Sequence, residues 1–411
     1  MTLKHLVCLS VAFALFQGCA PSADETPQTP KAITAQKTPQ KMDFWNTTQR
    51  GANSFNKTPP DQAYFEALRE TGASWVRLTF SKWDGDARDF LMGSADQYET
   101  LQISDLKTLK QVLDAAHSAN IKVVLVPLSL PGARWVQHND GTFDDRLWSD
   151  KAYWVQAAQF WADLAIELKD HPAVAAYNII NEPAPEKTQA LSEYGTISAT
   201  KAFLDTQEGT ARHLLEFYEF IVSEIRKEDS ETPIMVDAGY YANPINLAAW
   251  PAPLTDKNTL YAVHIYEPYQ ATSYPNTQRE VPLSYPGTEG YYKGEPTLWN
   301  KPVLSDYVQS AYEWAKQHEL SNNRIVIGEY GCVRTWKDCG SYLTDLLDIF
   351  DTHEAHWAYY TFRPDEWDAM DYELPLDFRA GQFYWYIQEG RKAKLPRDGE
   401  LSKLINDRIK P

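Results

Sequence analysis

Eight short apolar segments, rich in β-branched and aromatic residues, recur along this chain, and helix-like stretches separate most of them. The strand-like segments fall at 51–55, 74–80, 122–127, 174–180, 232–237, 260–266, 324–329 and 357–361. The spacing predicts helices over 61–70, 104–119, 151–168, 210–226, 306–318, 341–350 and 381–388. In 104–119, for example, Leu106, Leu109, Leu113 and Ala116 recur at the three-to-four-residue interval of one helical face. Parallel strands need a long return connection, and a helix supplies it while covering the sheet. Eight strand segments alternating with helices predict an α/β protein with a (β/α)8 TIM barrel and long loops. A doubly wound open sheet is the alternative, but no Gly-rich phosphate loop follows the first strand. With no internal repeat, residues 42–411 read as one domain.

What precedes that domain reads as export. Lys4 gives a positive start, 6–16 is an apolar run too short to span a bilayer, and Gly18-Cys19 follows. The pattern resembles a bacterial lipoprotein signal over 1–18, with Cys19 lipidated; ordinary secretory cleavage is the alternative. Residues 19–41 are rich in Pro, Thr, Gln and Lys and read as a disordered tether. The expectation is a cell-envelope protein facing the periplasm or cell surface, or a secreted one, meeting a membrane only through a lipid anchor. A net charge of −17 (39 basic minus 56 acidic residues) argues against nucleic acid as a partner. Cys332 and Cys339, with six residues between them, are expected to pair in an oxidising compartment.

Two of the apolar segments lead into glutamates. Tyr177-Asn178-Ile179-Ile180-Asn181-Glu182-Pro183 and Ile325-Val326-Ile327-Gly328-Glu329-Tyr330-Gly331 each present an acid at a strand's C-terminal end. That is the face of a barrel where chemistry belongs. Two carboxyls, one protonated and one ionised and about 5 to 5.5 Å apart, are the equipment of retaining glycoside hydrolysis. Arg77, ending the second strand, offers a positive charge to keep one of them ionised. Asn181 offers a neutral amide for a sugar hydroxyl. His264 and Tyr266 sit two apart on the sixth strand and so share one side of the pleat. Tyr266 there can donate to a carboxylate, and His264 can bind sugar or acid.

Taken together these residues resemble glycoside hydrolase family 5, the cellulase-type family of clan A. The match runs from Gln49-Arg50-Gly51-Ala52-Asn53 through Val76-Arg77-Leu78, Pro131-Gly132, Asn181-Glu182-Pro183 and His264-Ile265-Tyr266 to Gly328-Glu329-Tyr330-Gly331. The resemblance implies Glu182 as general acid/base and Glu329 as nucleophile, with Arg77, Asn181, His264 and Tyr266 supporting them. It implies a metal-independent retaining β-glycosidase, with no cofactor, acting on a β-linked poly- or oligosaccharide. An endo-β-1,4-glucanase is favoured; a mannanase, a xylanase or an exo-acting β-glycosidase of the same family is the alternative. Two positions depart from the family pattern. Leu128 stands where the family has His after the third strand, and Tyr360 stands at the Trp position of the eighth, with Trp357 three residues earlier.

Further sugar contacts are expected from Trp357 and Tyr360 on the eighth strand, from Trp135 and His138 in the loop after the third, and more weakly from Trp367 and Trp336. The segment 268–302, with Tyr269, Tyr274, Tyr285, Tyr291, Tyr292 and Trp299, is expected to wall one end of the cleft. His353-Glu354-Ala355-His356 places its histidines three apart, not the four of a zinc helix, so no metal site is expected. No Gly-x-Ser-x-Gly motif supports esterase chemistry. A surface glycan-binding lipoprotein without catalysis is the rival from another class, opposed by two close acids that a pure binder does not need.

Overall fold

The computed structural model describes residues 40–378 and 395–410, and residues from Gln40 onward form one compact unit. The apolar N-terminal run, Cys19, most of the tether and the helix expected over 381–388 lie outside the described residues. Among the described residues, no helix is long and apolar enough to cross a membrane.

The eight strand-like segments close into one parallel barrel. In chain order the strands are β1 (Arg50–Ser54), β2 (Trp75–Leu78), β3 (Lys122–Leu125), β4 (Val174–Asn178), β5 (Ile234–Asp237) and β6 (Thr259–Ile265). A two-stranded antiparallel hairpin, β7 (Glu289–Tyr292) and β8 (Glu295–Leu298), stands apart from the barrel. The ring is completed by β9 (Ile325–Tyr330) and β10 (His356–Tyr359), giving the order β1-β10-β9-β6-β5-β4-β3-β2. The helix Lys151–Leu168 falls where its apolar periodicity puts it, and the helix at 210–226 is shifted to Leu214–Glu228. Helices Ile197–Gln207 and Glu400–Ile409 and the β7–β8 hairpin have no counterpart in the sequence reading. Each is a weakly patterned piece: Pro and Glu exposed on β8, for instance, hide its strand character.

Strand alternation sorts side chains between two cores. Val76, Leu78, Val123 and Leu125 join the large layer between sheet and helices. Trp75, Val124, Ala176, Met235, Leu260, Ala262, Val326 and Ala358 fill the barrel interior with Met42 and Trp45. The last two lie on a 3-10 helix, Lys41–Asn46, and the Trp45 ring packs edge-on against Trp75 while its Nε1 donates to the Ala175 carbonyl at 3.2 Å. That plug fills the interior with apolar volume. Polar inward-facing residues therefore accumulate at the other end, towards the strand C-termini.

The same parity corrects one expectation. Ala358 faces the interior, so Trp357 faces the helices; it is fully buried and packs edge-on against Tyr330. Tyr360, on the parity of Ala358, turns inward. Residues three apart on a strand cannot share a face, so only Tyr360 reaches the site.

Cys332 and Cys339 are joined by a disulfide with Cα atoms 5.7 Å apart. Both are buried, and the bridge closes the turn between the end of β9 and the helix Cys339–Thr352. It braces the segment that leaves Glu329.

Candidate active site

A cleft of about 770 Å³ opens at the C-terminal ends of the strands. Its floor is organised by Arg77, which enters the barrel from β2 with no exposed surface. The guanidinium spends its fork on five side chains, the longest contact running from Nη1 to Asn53 Oδ1 at 3.4 Å. Nε donates to Asn178 Oδ1 at 2.8 Å, and Nη1 to Glu329 Oε1 at 2.6 Å. Nη2 donates to Asn181 Oδ1 at 2.8 Å and to Asp237 Oδ2 at 3.0 Å. A buried cation needs that many partners, and a planar fork fixes each of them in angle as well as distance.

Glu329, on β9, has both carboxylate oxygens held. Oε1 takes the Arg77 bond, and Tyr266 OH donates to Oε2 at 2.7 Å. Burial pushes the Tyr266 hydroxyl well above its ordinary range, so it keeps its proton and can only donate here. Burial also raises Glu329, with the charge of Glu182 adding to the rise and Arg77 and the Tyr266 hydrogen bond opposing it. Two fixed donors aimed at its two oxygens make it the member of the pair that carries the charge.

Glu182 is placed differently. Just beyond the end of β4, it adopts a left-handed backbone with φ of +46°, uncommon for a residue with a side chain. Its N–H donates to Asp237 Oδ2 at 3.0 Å, which holds the chain in that reversal. The carboxyl keeps 29% of its surface open to the cleft, against 6% for Glu329. Burial by the surrounding walls pushes it up to about 7, helped by the charge of Asp237 and opposed by Arg77. One carboxyl is therefore tuned to hold a proton near neutrality and the other to stay ionised.

His264 lies between them. Its Nδ1 is 2.8 Å from Glu182 Oε1 and 4.0 Å from Glu329 Oε1. Burial lowers its pKa, so the ring is neutral. With Glu182 protonated, Nδ1 accepts that proton's hydrogen bond and the ring hydrogen sits on Nε2, which lies 3.6 Å from Asp237 Oδ2. The ring fits because β9 has Gly328 beside it: a Cβ there would stand 2.9 Å from His264 Nε2. A carboxylate oxygen of Glu182, a ring nitrogen of His264 and a carboxylate oxygen of Glu329 all lie within 4.8 Å of one another. That trio has the residue types of a metal site. The Arg77 guanidinium, hydrogen-bonded to one member, and the proton on another suit it to proton transfer instead.

Of the other expected contacts, Asn181, Trp135, Tyr360 and Trp367 line the cleft, as does Leu128. The Lys82 ammonium lies 4.8 Å from the centre of the Trp135 ring and pairs with Glu366. His138 does not reach the cleft. It is solvent-exposed on the far side of its loop, tied to Arg88 through Nε2 and the Arg88 carbonyl at 2.9 Å. Trp336 is also elsewhere, buried with Nε1 donating to the Leu283 carbonyl. Within 268–302, Tyr269 and Tyr274 face the cleft while Tyr285 and Trp299 are buried.

The sequence reading missed Asp237, Asn178 and Asn53. Asp237 has no exposed side-chain surface and takes bonds from Arg77, from the Glu182 N–H and from Asn178 Nδ2 at 2.9 Å. The signal was present: Asp237 closes an apolar segment just as Glu329 does. Asp237→Asn removes one of the two charges that balance Arg77 and one that helps Glu182 keep its proton. We expect unfolding free energy to fall by on the order of 2 kcal/mol. The alkaline limb of the pH–rate profile should move below the wild-type position near 7. Denaturant melts and a pH series on one preparation check both.

Comparison with known proteins gives the same picture. The chain matches the model of the Cellulase family (glycosyl hydrolase family 5) over residues 35–366. A β-xylosidase of Phanerodontia chrysosporium is 22% identical over 330 residues, covering 76% of this chain and 58% of that protein. Endoglucanase 3 of Fibrobacter succinogenes is 22% identical over 253 residues, covering 54% and 35%. The chain thus spans between about a third and three-fifths of the length of these relatives. Among solved structures, an endoglucanase superposes with a TM-score of 0.60 at 16% identity, over 89% of this chain and 99% of that one, a likeness of fold.

Proposed function

The chain belongs to glycosyl hydrolase family 5, and on that footing we propose that it is a retaining β-glycosidase acting on β-linked poly- or oligosaccharides. The observation that carries the reading is the carboxylate separation. Oxygens of Glu182 and Glu329 within 4.8 Å suit direct attack, and fall short of the roughly 6.5–9.5 Å that leaves room for a water in an inverting site.

In the first step a Glu329 oxygen attacks the anomeric carbon. The glycosidic C–O bond breaks, and the Glu182 proton passes to the departing oxygen. In the second step the Glu182 carboxylate takes a proton from water while the water oxygen attacks the same carbon. The glycosyl ester bond breaks and Glu329 leaves as a carboxylate. Two inversions return the starting configuration. Asn181, whose Oδ1 is occupied by Arg77, has its amide nitrogen left for a sugar hydroxyl.

Endo-β-1,4-glucanase action is favoured, supported by an endoglucanase among the relatives and by the endoglucanase fold. A xylan or mannan substrate is the second reading, supported by a β-xylosidase among the relatives and by Leu128 and Tyr360 at positions where the family pattern differs. Release of new reducing ends from β-1,4-glucan, xylan and mannan, followed by product size over time, tests it. Absence of new ends on every β-linked polymer and oligosaccharide would overturn the function. Anchoring through Cys19 belongs to the same proposal, on the apolar run and following Cys alone. Cys19→Ser should shift the protein from the membrane to the soluble fraction; unchanged partition overturns the anchor.

A further inference from the structure

The order of strands around the barrel divides the cleft. Loops after the neighbouring strands β4, β5 and β6 build the half beside Glu182. Loops after β1, β2, β3 and β10, carrying Phe55, Lys82, Trp135 and Tyr360, build the other half. An acid that protonates the departing oxygen must stand next to it. The sugar beyond that oxygen therefore lies over the β4–β6 loops.

That half carries a second pair of carboxylates outside the catalytic machinery. Glu193, in the connection after β4, and Glu267, just past β6, both line the cleft and are only partly exposed. Among the described residues neither has a cationic nitrogen within 4.0 Å. Glu267 takes one bond, from the Tyr269 N–H at 2.8 Å. Burial raises both groups; Glu193 adds to the rise of Glu267, and Glu182 to that of Glu193, so the three sit in one another's field. Lys187 is the cation that Glu193 feels, and its ammonium rests over the rings of Phe143 and Tyr241 at 5.0 and 5.6 Å.

A second observation at the same place points to a ligand. Tyr307 is 4% exposed and lines the cleft, and its hydroxyl has no hydrogen-bond partner among the described residues. Glu267 and Glu193 are among the charges that act on it. Its ring is fixed by edge contacts with Tyr292 and Trp299, with centroids 5.9 and 5.5 Å away. A hydroxyl that faces the cleft without a protein partner, beside two carboxylates, is left to bond a ligand.

We propose that Glu193, Glu267 and Tyr307 read the leaving-group sugar: the carboxylates accept its hydroxyl donors, and units bearing a carboxylate or sulfate ester are rejected. The proposal rests on the glycosidase reading above and adds the chemistry of one sugar position. Above the value of about 7 to which burial pushes Glu267, ionised carboxylates are acceptor-only groups and suit a polyol, every hydroxyl of which can donate. A uronate in the same place would set three negative charges against one another in a partly desolvated cleft.

The test uses the full chain with a β-linked oligosaccharide and an aryl β-glycoside of the same sugar, whose phenol has no hydroxyls to offer. The readout is the ratio of kcat/KM between the two substrates. Glu193→Ala, Glu267→Ala and Tyr307→Phe should each lower that ratio, about tenfold for the acids. A merely structural defect lowers both rates and leaves the ratio alone. Wild type should cleave oligosaccharides with a uronate on the leaving side about tenfold or more slowly than neutral ones, a gap that narrows as salt rises. The Glu193→Gln/Glu267→Gln double variant should close it. A ratio unchanged in all three single variants, or uronate cleaved as fast as neutral sugar at low salt, overturns the proposal. Failure of wild type on both neutral substrates would instead overturn the glycosidase reading.

Discussion

Glu329→Ala is expected to abolish turnover, lowering kcat on an aryl β-glycoside by about 10⁴-fold or more. On the proposed mechanism its loss removes a bond-forming atom: without it no glycosyl ester can form. The substitution also leaves Arg77 with one fewer counter-charge in a fully buried position, so the fold should lose stability as well. Chemical rescue separates the two effects. Added azide or formate should enter the space of the missing carboxylate and attack from its face. The azide product should then be the α-glycosyl azide, of inverted configuration. Unchanged rates in this variant would sink the nucleophile assignment, and a rescued product of β configuration would give Glu329 the acid/base role instead.

Glu182→Gln is expected to cost about 10²- to 10⁴-fold on substrates with poor leaving groups. The loss should shrink as the leaving phenol becomes more acidic, because a good leaving group needs no proton. The pH profile adds an independent sign. Glu182 must hold its proton to act as an acid, and its pKa is raised to about 7. Wild-type kcat/KM should therefore decline as pH rises through that value, and on the acid side fall once Glu329 takes up a proton. In Glu182→Gln that alkaline limb should vanish, since no proton remains to be lost. A limb that persists unchanged in the variant would assign the titration to another group. In Glu182→Ala, azide should give the β-glycosyl azide, the opposite configuration to that from Glu329→Ala.

Much of this site was legible because strand ends announce themselves. Apolar runs of four to seven residues that stop at an acid place Glu182 and Glu329 at the barrel mouth from local pattern alone. Arg77 and the His264/Tyr266 pair follow from the alternation of side chains along a strand. The same alternation, applied to β10, would have excluded Trp357 in favour of Tyr360. His138 was a different failure: a loop residue has no period, so nothing in the sequence says which way it turns.

By itself the sequence determined the eight barrel strands, the family and the placement of two acids at strand ends, because hydrophobic periodicity and motif order are local properties of the chain. Only the tertiary structure decided which acid keeps its proton. That depends on Arg77 and Tyr266 converging on Glu329 from strands far apart in sequence, and on Asp237 reaching across from β5 to hold the Glu182 backbone. Electrostatics acts through distances across the barrel, and those exist only once it has closed.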